Sequence, residues 1–192
     1  PTACADLPET FSKFRKLVEP LTESFPVQSV STLPPPPQVV QALFEQSAIL
    51  DHSSVENALF SGGEKAGMAH LKRYFSGGMA STYKQTRNAL DDFPASTKFS
   101  PWLALGCVSP RQIMSALREY EAEFGANDST YWIGFELLWR EFFFWHARKH
   151  GARLFAFSGV QRKSPATSFY PERFQKWCAG NTPYPIVNAC MK

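Results

Sequence analysis

Between Trp132 and Trp145 the chain reads Trp-Ile-Gly-Phe-Glu-Leu-Leu-Trp-Arg-Glu-Phe-Phe-Phe-Trp, and Glu136, Arg140 and Glu141 are its sole charges. A helix that is apolar nearly all round must be covered all round. Three charges, and a run well short of about 20 apolar residues, exclude a membrane span. The segment is therefore predicted to be a buried helix between layers. The rest of the 192-residue chain has to supply its covers.

Composition allows this. Hydrophobic residues make up 44% and aromatics 15%, enough for a real core and too many for a disordered chain. A net charge of +3 permits nucleic-acid binding without advertising it. The four cysteines, at 4, 107, 178 and 190, include no Cys-x-x-Cys pair, and no histidine pair completes a zinc set. They are read as reduced thiols of an intracellular protein, in a nucleus, an organelle or elsewhere; a secreted protein with two disulfides fits this size less well. The first residues are not read as a signal peptide. Pro1 at one end, and a helix opening at Pro185 and cut at Lys192 at the other, suggest a piece of a longer protein. Nothing in the pattern indicates an oligomeric state.

The punctuation is helical throughout. A short helix is expected near 9–18. Pro34-Pro35-Pro36-Pro37 favours extended polyproline, so residues 1–38 are read as an interdomain linker and 39–192 as a helical domain. Further helices are expected over 39–46, from Gly62-Gly63-Glu64 to Gly77-Gly78, and over 81–90. Another is expected from Ser100-Pro101 to Gly106, with Ser100 as its N-cap. Ser109-Pro110-Arg111-Gln112 spells a capping box with Pro at the first helical position, opening a helix that presents Ile113, Leu117, Tyr120 and Phe124. Asp128-Ser129-Thr130 is expected to cap the long helix of 131–149. Pro171 opens one more, ended by Gly180. No strand alternation of useful length occurs, so the fold class is all-α.

Three places hold candidate chemistry. Ser96-Thr97-Lys98-Phe99-Ser100 puts three hydroxyls and an ammonium before a helix start, where free amides favour an anion. The set reads either as a phosphate cradle or as an ordinary capped helix with a polar loop. In the oily helix, Glu136, Trp139, Arg140 and Phe143 share one stripe. They read either as a pocket wall or as a Glu136–Arg140 ion pair one turn apart. As a wall, Trp139 would be a stacking plate, Arg140 an anion partner and Glu136 a hydrogen-bonding partner for a base. The third place, Ser81 to Asn88 with Tyr83, by itself reads as a solvated helix with one aromatic contact. His146 and His150 stand four apart at a helix end, a position that suits His⁺ more than a metal.

In order, four blocks resemble the cryptochrome/photolyase family, DASH-type cryptochromes in particular. They are Leu7–Glu19, Gly62-Gly63-Glu64 through Tyr83-Lys84-Gln85-Thr86-Arg87-Asn88, Ser96–Arg111, and Asn127–Phe142. Trp177–Lys192 resembles a further family segment, with Pro183, Asn188 and Lys192 where the family usually has Gly, Asp and often Arg. The resemblance implies an all-helical FAD-binding domain, of which this chain is the linker and first half. It implies FAD contacts at Tyr83, Ser96, Thr97, Lys98, Phe99, Ser100, Glu136, Arg140 and Phe143. Glu136 and Trp139 would meet a flipped-out pyrimidine dimer, in single-stranded DNA by preference. It further implies blue-light electron transfer from reduced FAD, and a folate-type antenna chromophore in another domain. A photoreceptor that binds FAD without repair, or a helical fragment that binds no cofactor, are the alternatives. The piece alone is expected to be inactive.

Overall fold

A computed structural model describes residues 6–24, 32, 34–40, 59–89 and 92–192, with helices and loops and no strand among them. The helices are α1 Phe11–Val18, α2 Gly63–Phe75, α3 Met79–Thr86, α4 Ser100–Ala104, α5 Pro110–Phe124, α6 Asp128–His150, α7 Pro171–Cys178 and α8 Pro185–Met191. The helix expected over 39–46 lies outside the described residues past Val40, as does Leu90. No described helix is long and apolar enough to cross a membrane. Cys107, Cys178 and Cys190 are free thiols.

The chain divides into two units, Pro1–Trp145 and His146–Lys192. In the first, one core gathers Leu71, Tyr74 and Phe75 of α2, Ala80 and Tyr83 of α3, Phe99, Trp102 of α4, Val108, and Ile113, Leu117 and Tyr120 of α5, with Ile133 of α6. The α5 capping box forms as spelled: the Gln112 amide donates to Ser109 Oγ at 3.2 Å, and the Ser109 amide donates to Gln112 Oε1 at 2.7 Å. Phe124, the last residue of the expected apolar face, is exposed. Ser81 and Tyr120 share a 2.6 Å hydrogen bond that ties α3 to α5.

A second cluster joins Leu7, Phe11 and Phe14 to Leu138 and Phe142 of α6. Residues from the stretch read as linker thus help cover the oily helix. Burying each of these phenyl rings contributes on the order of 2 kcal/mol. Arg15 reinforces the contact, donating to Tyr131 Oη at 3.3 Å while Tyr131 donates to Glu19 at 2.8 Å. Pro34–Pro37 are non-helical and exposed.

Two expected caps differ. α6 starts at Asp128, three residues early, because Asn127 caps it: Asn127 Oδ1 accepts from the amides of Ser129 and Thr130 at 2.8 and 3.0 Å. α4 starts at Ser100 itself, so Ser100 lies inside the helix and Phe99 precedes it with no side-chain cap.

In the second unit, Asn188 Oδ1 accepts from the Thr182 amide and hydroxyl at 2.7 Å each, and Asn188 Nδ2 donates to the Thr182 carbonyl at 2.7 Å. An aspartate there lacks that donor. Large apolar side chains of this unit, such as Phe155, Phe157, Phe169 and Phe174, are exposed.

Gly67 lets α2 lie against α4. A Cβ there would meet Val108 Cγ2 at 2.6 Å and Trp102 Cδ1 at 2.9 Å, both in the core. Gly67→Ala is expected to destabilise the chain by about 1–3 kcal/mol through overpacking, despite alanine's higher helix propensity; urea unfolding checks it. Burial, followed by the neighbouring Tyr83 and Tyr120, pushes the Tyr74 phenol well above its ordinary value. The folded state therefore keeps a proton that the unfolded chain releases above about pH 10, so stability falls as pH rises past that point. Urea midpoints measured from pH 8 to 11 should decline, and less steeply in Tyr74→Phe.

Candidate functional site

One short helix supports both candidate places. On α3, Tyr83, Thr86 and Arg87 (at its C-cap) follow at three- and four-residue spacing. Thr86 Oγ1 donates to the Ala95 carbonyl at 2.7 Å, fixing the base of the 96–100 loop. Arg87 Nη1 pairs with Glu136 Oε1 of α6, and Arg87 also hydrogen-bonds the buried Tyr83 phenol. Burial raises the Tyr83 pKa above its ordinary value, against the pull of Arg87, so the phenol stays neutral. The Arg87 guanidinium lies over the Trp132 ring at 5.0 Å and Lys84 Nζ lies over the same ring at 5.6 Å.

Glu136 therefore pairs with Arg87 and not with Arg140, as the one-turn spacing had allowed. Arg140 is exposed and donates to Glu141 at 2.9 Å. Trp139 stacks on Phe11, with centroids 3.6 Å apart and planes 11° apart, and on Phe143 at 5.4 Å. Phe143 is itself 60% exposed. The structure thus joins Tyr83 with Glu136, and Trp139 with Phe143, while Arg140 turns to its chain neighbour.

In the loop, Ser96, Thr97 and Lys98 are half-buried, Phe99 is buried in the core and Ser100 is exposed. Lys98 takes a left-handed conformation, φ 52°, and its Nζ lies 5.8 Å from the Phe93 ring centroid. Because α4 has five residues, its dipole is slight. What remains for an anion is the donor set itself: hydroxyls, an ammonium and backbone amides.

Arg87 and Trp132 belong to this site although neither is among the site residues expected from the sequence. The Tyr83–Arg87 spacing on one helix was the available signal. Thr86→Val keeps the branched shape and removes the bond to Ala95. It is expected to cost about 1 kcal/mol and to speed amide exchange across 96–100, read by hydrogen exchange.

Residues 132–192 match the family described as the FAD binding domain of DNA photolyase. Over its whole length the chain is 65% identical to a cryptochrome DASH of Idiomarina loihiensis and 58% identical to one of Vibrio parahaemolyticus. It spans 42% of the length of each. Among solved structures, a Synechocystis cryptochrome matches all of the chain over 41% of its own, at 41% identity and a TM-score of 0.76. A class III photolyase from Agrobacterium tumefaciens, 22% identical with a TM-score of 0.53, shares the fold. Over its whole length the chain is similar to DASH-type members of the cryptochrome/photolyase family, and its all-helical fold matches part of their FAD-binding domain.

Proposed function

We propose that the protein carrying this chain binds FAD through it and acts on cyclobutane pyrimidine dimers in single-stranded DNA. The observation that carries the reading is the likeness to the Synechocystis cryptochrome, which extends over the whole chain, including both the 96–100 loop and the Glu136 helix. The donor set fits the group. Ser96, Thr97, Lys98 and Ser100 offer the hydroxyls and positive charge that a pyrophosphate needs, with Phe99 anchoring the loop from inside the core. Tyr83, Arg140 and Phe143 would complete the cofactor's surroundings.

Bound FAD would supply the photochemistry: light-driven donation of one electron to the dimer, with return of the electron after the cyclobutane ring opens. The protein's part is to hold and to exclude water. Glu136, oriented by Arg87, would accept hydrogen bonds from the base edges of an extruded dimer, and Trp139 would stack on it. A single strand offers that dimer with no pairing to break.

The Phe11 ring on Trp139 favours a second reading, a photoreceptor that binds FAD without repair. The plate a dimer would need is already covered.

Both readings are tested on a polypeptide of the relatives' full length. Supplied with FAD, it should retain flavin absorbance through gel filtration; a colourless protein defeats both. Under blue light it should split dimers in single-stranded DNA. Glu136→Gln should lower that rate about 10-fold or more with flavin still bound. Flavin retention with no splitting leaves the photoreceptor.

A further inference from the structure

We propose that His70, held by Arg73, is a positioning residue for the 96–100 loop and so sets the affinity for the cofactor's pyrophosphate. The inference rests on the FAD reading above. His70 lies on α2, well apart in sequence from the loop, and is one of the buried polar residues among those described. Its Nε2 sits 2.8 Å from the Thr97 carbonyl oxygen and its Nδ1 sits 3.0 Å from Arg73 Nη2. A guanidinium can only donate, so Nδ1 must accept. That leaves the ring proton on Nε2, where it donates to Thr97. Arg73 thereby selects the tautomer that grips the loop.

The loop needs such a grip. Lys98 holds a left-handed conformation that is strained for a side-chain-bearing residue. The strained residue is bracketed by Thr97, whose carbonyl takes the His70 bond, and by Phe99, buried in the core. Behind the loop, packing is incomplete: a cleft of about 350 Å³ opens there, lined by His70, Arg73, Tyr74, Met79, Phe93 and Ser96 among others. Facing that hollow, two polar contacts add to the Phe99 anchor: Thr86 at Ala95 and His70 at Thr97. His70 is well fixed for the task. Its ring stacks on Trp102 at 4.8 Å and meets the Phe99 ring edge-on at 5.6 Å.

The test uses a polypeptide of the relatives' full length. His70→Phe keeps an aromatic ring beside Trp102 and removes both hydrogen bonds. His70→Gln restores an N–H donor near the Nε2 position. Arg73→Leu leaves the imidazole and releases its tautomer at an exposed position. FAD affinity is read by flavin fluorescence, the environment of the bound pyrophosphate by ³¹P NMR, and apo-protein stability by thermal melting. His70→Phe should weaken FAD about 10-fold, Arg73→Leu by several-fold, and His70→Gln should recover most of the loss. The ³¹P resonances should move in the His70→Phe protein and return toward wild type in the His70→Gln protein. FAD affinity and ³¹P resonances that equal wild type in both the His70→Phe and the Arg73→Leu proteins would overturn the proposal. So would losses that follow melting temperature alone, without rescue by glutamine. If His70→Phe does not fold, Arg73→Leu decides by the same readouts. A wild-type protein that binds no FAD brings down the flavin reading itself, and this inference with it.

Discussion

A helix with no polar face is the constraint from which the first unit follows. The all-round burial expected of α6 is only partly met: separate parts of the chain bury Ile133, Leu138 and Phe142, while Tyr131, Arg140 and Phe143 stay exposed. Ile133 enters the core built by α2 to α5, while Leu138 and Phe142 enter the cluster built by Leu7, Phe11 and Phe14. Five residues separate Ile133 from Leu138, which turns the helix by about 140° beyond a full revolution. The two clusters therefore occupy different flanks of one rod. Next along the helix, Phe143, Phe144 and Trp145 have exposed rings.

The candidate site takes its order from α3, which is only eight residues long. Its three- and four-residue spacings put Thr86 on the base of the 96–100 loop and Arg87 on Glu136. Asn127 adds a further tie, donating to the Ser81 carbonyl at 3.1 Å while it caps α6, and Ser129 Oγ accepts from the Lys84 amide at 3.0 Å. The loop and the carboxylate are thus braced from one strut. A change in α3 would be felt at both, whereas the His70 hydrogen bond goes to the loop.

What could be read in the sequence was what is local. Ser109 and Gln112 spell their cap because both partners lie within one turn. The all-helical class, the Pro171 start and the Gly180 stop were legible for the same reason. The caps that were misplaced compete with a neighbour one or three residues away: Asn127 and Asp128 are both good cap residues, and the geometry of two amides decides for Asn127. Partners distant in the chain were not legible. Glu136 has Arg140 one turn away yet pairs with Arg87, 49 positions back. His70 is tied to Thr97 and Arg73 through its two ring nitrogens, and neither tie leaves a mark in the helical pattern. The stretch read as linker gave no sign that Phe11 would lie on Trp139, since a stacking partner leaves no periodic trace.

The two residues expected to meet a dimer are prepared differently. Glu136 is held by a charged partner at one oxygen, Oε1. A carboxylate has two oxygens and about four lone-pair positions, so Arg87 can fix its direction without using up its capacity to accept. Trp139 offers faces rather than lone pairs, and Phe11 lies flat on one at 3.6 Å while Phe143 stacks close by. A base can be added to Glu136, but for Trp139 it must replace a phenyl ring. Aromatic pairs contribute about 0.5–1.5 kcal/mol beyond the area they bury, and a base stacked on an aromatic ring contributes about 1–3 kcal/mol. The first figure leaves out the ring area that Phe11 also buries in its cluster, so on the proposed reading α1 has to give up that burial before a base can reach this face of Trp139.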